Sequence, residues 1–176
     1  MKAVYKLIAI ASLCLVVGCT TINSSKQTVQ IHYSSSVGFA SFANNTEVPQ
    51  AASRAVNVAS GVLRSKGLND IFVYQSKTSC NQLVVCPNAN PSLGEFLRWA
   101  QENNLDLLIT GSVNEWEYKV GLDGEPVAAV SLQLYDVSSG AMIWSSVGSK
   151  IGTTHAGLAN TAQALIRDMF YSLKIY

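Results

Sequence analysis

Two histidines, four cysteines and four prolines are all that the 176 residues contain of these types, and each scarcity excludes something. His32 and His155 lie far apart, and no cysteine–histidine spacing of the zinc-finger kind occurs. Charged residues make up only 13% of the chain, with twelve basic against eleven acidic. No basic run or aromatic–basic patch of the sort used on nucleic acid is present. No serine, histidine or cysteine sits in a nucleophile motif, and no glycine-rich phosphate loop occurs. Past the first 18 residues, no charge-free segment reaches the length of about 20 apolar residues that a membrane span needs.

What is present begins with MKAVYKLIAIASLCLVVGCTT. Lys2 and Lys6 form a short positive region, and an apolar run follows over 7–17. The run is too short to span a bilayer but suits a signal peptide. It ends in Val16-Val17-Gly18-Cys19, which resembles the bacterial lipobox, in which the cysteine is acylated and becomes the first mature residue. An ordinary signal peptide with a chance cysteine is the other reading, and a run ending directly in VVGC favours lipidation. Thr20 stands where an inner-membrane retention signal usually places Asp, so the resemblance implies an outer-membrane lipoprotein facing the periplasm. Diacylglycerol and an N-acyl chain on Cys19 would anchor it, each buried CH₂ contributing about 0.8 kcal/mol. No other cofactor and no metal is expected. Residues 1–18 are thus expected as a signal peptide. Residues 19–35, rich in Ser and Thr, are expected as a lipidated tether, and 36–176 as one folded domain. Without Lys2 and Lys6, the stated net charge of +1 becomes −1 for the mature chain.

Of the four cysteines, Cys14 leaves with the leader and Cys19 carries lipid. Cys80 and Cys86 remain, in SCNQLVVCPNANP. In the oxidising periplasm a disulfide closing this small loop is the favoured reading, with two free thiols as the alternative.

The apolar pattern predicts the elements. VGFASF at 37–42 alternates as a strand and stops at Asn44-Asn45-Thr46. Pro49 suits the first turn of a helix whose apolar face is Ala55, Val58, Ala59, Val62 and Leu63, with Gly67 as its stop. A strand over 71–74 follows. Ser92 and Glu95 form a capping box for a helix that ends near Asn103-Asn104. Residues 105–113 read as a central strand, 127–137 alternate again, Ser138-Ser139-Gly140 is a hairpin turn, and 141–148 return. A final helix runs over about 155–173. This order predicts a single α/β domain, a mixed sheet of about five or six strands flanked by helices.

Between the central strand and its neighbour lies GSVNEWEYKVGLDGEP, residues 111–126. It holds four of the eleven acidic residues and one of the three tryptophans. Glu115 and Glu117 could be imagined as a glycosidase pair, but they lie on one face of one strand, and hydrolases need carboxylates flanking the bond. No enzyme activity is expected. Trp116 and Tyr118 fall on the opposite face, as core or subunit-contact aromatics. Trp144 is expected inside a sheet layer.

Two stretches carry a family resemblance. VGFASFANNTEVPQAASRAVNVASGVLRSKGL looks like the opening of the CsgG and TolB N-terminal folds. More tightly, GSVNEWEYKVGLDGEP, then VSLQLYDVSSGAMIWSSVGSKIG, then GLANTAQALIRDM are similar to the PelC family, outer-membrane lipoproteins of Pel exopolysaccharide export. The tight match covers about 105–165. The resemblance implies a homo-oligomeric ring at the periplasmic face of the outer membrane, contributing to biofilm matrix production. It implies a partner β-barrel export protein with TPR repeats, and an acidic inner surface that guides a cationic exopolysaccharide. On that reading Asp123 and Glu125 belong to a repeated acidic ring, in which the fields of many subunits add. From local chemistry alone, a solvated hairpin turn with Asp-Gly chosen for positive φ is the favoured reading. One departure from the family pattern follows Gly152. An aromatic suited to headgroup depth is expected there, and this chain has Thr153-Thr154-His155. A different class of function also fits: an accessory lipoprotein that binds and regulates a periplasmic cell-envelope enzyme, as activators of penicillin-binding proteins do on a related fold.

Overall fold

The alternating segment in the second half of the chain becomes the middle of a sheet. The computed structural model describes residues 19–25, 28–75, 91–120 and 124–176. Its strands are β1 (Thr20–Ser24), β2 (Val29–Ile31), β3 (Val37–Phe39), β4 (Ala43–Asn44), β5 (Ile71–Val73), β6 (Leu107–Tyr118), β7 (Pro126–Asp136), β8 (Met142–Ile151) and β9 (Leu173–Ile175). Its helices are α1 (Ala51–Ser65), α2 (Leu93–Glu102) and α3 (Leu158–Met169), the last continued by a 3-10 turn at Phe170–Ser172. The fold is a single-domain mixed α/β arrangement, as the element order predicts.

The main sheet has seven strands in the order β1-β8-β7-β6-β3-β5, with β4 also on β6. The β6–β7 and β7–β8 pairs are antiparallel, whereas β3 runs parallel to both β5 and β6. Along β7, Ala128, Val130, Leu132 and Leu134 are buried, while Ala129, Ser131, Gln133 and Tyr135 are only partly so. Period-2 alternation is what a strand with one packed face requires. On β6, Ile109 joins the large core under α1 and α3, while its neighbour Leu108 points the other way, into a smaller core with Phe96 and Ala100 of α2. The helices therefore cover both faces of β6 but, beyond α2, leave one face of β7 and β8 open.

Local signals act as expected. Ser92 and Glu95 complete the reciprocal capping box of α2, the Glu95 carboxylate accepting from the Ser92 N–H at 2.6 Å. Those bonds hold the Glu95 carboxyl below its usual range. Gly67 ends α1 at φ 106°, a backbone region that favours glycine. Trp144 is 1% exposed inside the sheet layer, and its indole N–H donates to Ser172 Oγ at 2.8 Å.

Two expectations need correction. Residues 19–35 are not a simple tether: β1 pairs antiparallel with β8 over Thr20↔Lys150 to Ser24↔Ser146, and β2 lies parallel to β9. β1 is an edge strand, where polar residues are tolerated and even favoured. Ile22 packs on the core, and Ser24 Oγ meets Ser146 Oγ at 2.7 Å. The mixed sheet itself is as expected, and with β1 and β4 it comes to seven strands. Finally, the last helix stops at Met169, and Leu173–Ile175 turns back as β9 to cover β2.

Candidate functional site

The acidic segment is the far end of a long hairpin. β6 and β7 stay paired from Leu107↔Asp136 to Tyr118↔Pro126, with a register shift between Val113 and Glu115. That shift decides which way the acids point. Val113 is buried, so strict alternation would turn Glu115 inward and Trp116 outward. A bulge at Asn114 absorbs one residue, and the phase resets. Trp116 is then buried at 3% exposure, whereas Glu115 and Glu117 are exposed. Asn114 itself is held: its Oδ1 accepts from Asn45 Nδ2 at 2.9 Å, and its amide group reaches Ser131 Oγ at 3.3 Å. Sequence reading missed this residue, although two large apolar positions three apart within one strand are a bulge signal.

Glu115 lies beside Ala129, which lies beside Ser149, which lies beside Thr21. This row crosses the open face of the sheet and offers short hydroxyl side chains around one carboxylate. Glu117 is opposite Val127. Neither glutamate faces a second carboxylate across the strand pair, so the geometry offers no acid–base couple flanking a bond. Trp116 lies within a shallow apolar hollow of about 320 Å³ between α1 and α3, with Val58 and Leu158. Buried to this degree, it offers no face for sugar stacking. Tyr118 is half exposed, and its hydroxyl oxygen accepts from the Leu158 N–H at 3.0 Å, at the start of α3.

At the tip, the Lys119 N–H donates to the Glu125 carbonyl at 2.8 Å, and Gly124 has φ 53°. Glu125 is half-buried. Asp123, Cys80 and Cys86 lie outside the described residues, as does the leader over 1–18. Among the described residues, Glu115, Glu117 and Glu125 enter no ion pair, and no cluster of three or more His, Cys, Asp or Glu could hold a metal. No helix among them is long and apolar enough to cross a membrane.

Cys19 is exposed, and its carbonyl accepts from the Ile151 N–H at 3.1 Å. Lys150 braces the same corner: its ammonium reaches Thr20 Oγ1 at 2.9 Å and the Asp168 carboxylate at 3.3 Å. Gly152, next in line, donates its N–H to the Pro126 carbonyl at 2.8 Å. A Cβ there would collide with Thr161 Oγ1 and stand 2.8 Å from the Pro126 ring, so the close approach of α3 and the hairpin requires glycine.

Neither protein-family models nor curated proteins match the chain. Solved structures do. The PelC dodecamer from Paraburkholderia phytofirmans is 30% identical, with 90% of this chain and 99% of that chain aligned at a TM-score of 0.76. The chain belongs to the PelC family. A point variant of the PelC dodecamer from the same organism aligns over 88% of this chain and 98% of that chain, at 30% identity and a TM-score of 0.72. The match to PelC thus reaches well beyond residues 105–165, into the N-terminal elements. Lipoprotein GNA1162 from Neisseria meningitidis, at 12% identity, covers 77% of this chain and 97% of its own with a TM-score of 0.50, and shares the fold alone.

Proposed function

We propose that this PelC-family chain is an outer-membrane lipoprotein of exopolysaccharide export, acylated on Cys19 and exposed to the periplasm. It assembles with copies of itself into a ring, like the dodecamer formed by its Paraburkholderia relative, and cooperates with a β-barrel export protein bearing TPR repeats. The single observation that carries this reading is the 30% identity sustained over 90% of the chain. The leader over 1–18 is removed, and Cys80 and Cys86 form a disulfide in the oxidising periplasm. The chain acts by guiding rather than by catalysis, a reading supported by its likeness to PelC.

In that ring, Asp123 and Glu125 line the aperture. One exposed carboxylate attracts a cationic sugar weakly, but repeated carboxylates around an opening focus the field. Glu115 and Glu117, exposed on the open face, extend the same acidic surface. Replacing Asp123→Asn with Glu125→Gln is expected to leave folding and assembly intact and to reduce secreted polysaccharide. The double change to Lys is expected to reduce it further, by repelling a cationic polymer. Undiminished secretion from the double-Lys protein at normal abundance would reject the role given to these acids.

A further inference from the structure

The ladder along β6 opens at one place. Phe39 pairs with Ile109 and Ala43 with Ser112, so four residues on one side answer three on the other. A step of that kind is a bulge, and it parts the two chains beside Thr110. Between this gap and the first turn of α2 lies a hollow of about 190 Å³, on the side of the sheet that α2 only partly covers. Cavities of about 150 Å³ already take a six-membered ring. Ala43, Leu93 and Phe96 supply apolar lining, and Thr110 and Gln133 supply polar lining. Thr110 Oγ1 donates to Gln133 Oε1 at 2.9 Å, which fixes the amide and leaves its NH₂ group without a hydrogen bond among the described residues. That group is not a buried orphan, so it stands open to an incoming acceptor. No charged side chain lines the hollow among the described residues, and Glu95, at the start of α2, is engaged in its capping box.

We infer that this hollow binds an acetyl group carried on a sugar of the exported polymer. Its carbonyl oxygen accepts from the Gln133 NH₂ group, and its methyl group lies on Ala43, Leu93 and Phe96. The inference deepens the export reading and rests on it. Chemistry selects this occupant from the groups that a polysaccharide or a protein partner could offer. A sugar hydroxyl has no apolar part to displace water from the apolar lining. An ammonium would lose its hydration against carbon, with no carboxylate to receive it. A hydrocarbon side chain would cover the Gln133 NH₂ group and leave it without an acceptor. An acetyl group meets both demands at once. Glu115 lies opposite Ala129, four residues or about 14 Å along β7 from Gln133, on the same face of the sheet. One face therefore offers two kinds of contact, a carboxylate for charged sugars and a neutral hollow for acetylated ones. The neutral contact keeps its strength when salt screens the acids.

Saturation-transfer difference NMR on the full-length protein in detergent tests this, with the methyl glycosides of N-acetylglucosamine, glucosamine and O-acetylated glucose as probes. For a single sugar the dissociation constant is expected near about 1 mM. Saturation should be strongest at the acetyl methyl and the same in low salt as in about 0.5 M salt. Binding by either acetylated sugar supports the hollow, and the one that binds names the linkage, amide or ester. Gln133→Leu is expected to weaken binding about tenfold. Ala43→Phe, which fills the hollow, is expected to abolish it with the mass of the assembly unchanged. If Ala43→Phe does not fold, Gln133→Leu decides alone. Equal saturation of the glucosamine glycoside, an acetyl methyl no stronger than the ring protons, or a signal indifferent to Gln133→Leu would overturn the inference. Secretion by a strain lacking the chain reads the premise separately. Undiminished polymer rejects the export reading and this occupant with it, whereas lost polymer without acetyl contact rejects the hollow alone.

Discussion

Carboxylates are treated in opposite ways at the two ends of the β6–β7–β8 meander. At the β7–β8 turn, Asp136 Oδ1 accepts from Ser138 Oγ at 2.6 Å, Ser139 N–H at 2.8 Å and Ser139 Oγ at 2.6 Å. Those bonds hold its pKa down at about 2, the hydroxyls contributing most. At the β6–β7 end, Glu115 and Glu117 have no ion pair among the described residues. The first carboxylate is consumed in shaping its own turn. The others are raised on a rigid hairpin and left free for whatever approaches. An acidic residue in a turn is therefore informative about function only after its local bonds are known.

The sharpest way to break the contrast is to remove what holds the free acids in place. Trp116→Ala empties a buried site under the acidic end and is expected to cost about 3–5 kcal/mol, lowering the melting temperature by roughly 10 °C. Thermal unfolding followed by circular dichroism reads this, and a change under about 2 °C would mean that Trp116 does not support the hairpin.

A smaller effect is expected at the structural carboxylate. The Asp136 pKa is depressed in the folded chain, so its stabilisation is fully present above the ordinary value of 3.8 and is lost as pH falls through about 2. Asp136→Asn should therefore melt below the parent protein at neutral pH by only about 1–3 °C, since the turn is exposed and screened. The gap should close between pH 3.8 and 2. A gap that persists unchanged at the acid end would place the effect elsewhere than on the charge.

The smallest change in stability belongs to the free acids. Glu115→Gln with Glu117→Gln is expected to alter unfolding by no more than about 0.5 kcal/mol, because surface positions without partners contribute little. Under the proposed function, the same protein should export less polymer. A large loss of stability would show that these glutamates are structural after all.

Much of the fold was legible because its signals are local. The Ser92–Glu95 box, the stop at Gly67 and the alternation through 130–134 each act within a few residues. What was hidden depends on partners far along the chain. TTINS at 20–24 has one apolar residue, Ile22, and an edge strand with one packed side chain gives no periodic signature. Leu173–Ile175 continues the apolar spacing of α3, so only the presence of β2 shows that it is a strand. The candidate site was legible in part. Alternation gave the right faces for Glu115 and Trp116, but the phase holds only because Asn114 is extruded. The acids expected at the tip divide: Glu125 is half-buried with its carbonyl bonded to Lys119, and Asp123 lies outside the described residues.

The pairing of β1 with β8 also orders events in time. Ser24 and Ser146 are 122 positions apart, and β2 must likewise wait for β9, the last strand of the chain. Closing so long a loop is slow and entropically expensive compared with zipping the β6–β7 and β7–β8 hairpins. The N-terminal strands are therefore the last to dock, onto a sheet already folded without them. Until then, the outer edge of β8 stays unpaired, and the nascent domain is most vulnerable to pairing with a neighbouring chain. Truncating the last four residues should strand β2 as well, leaving an N-terminal arm that joins the fold only through β1.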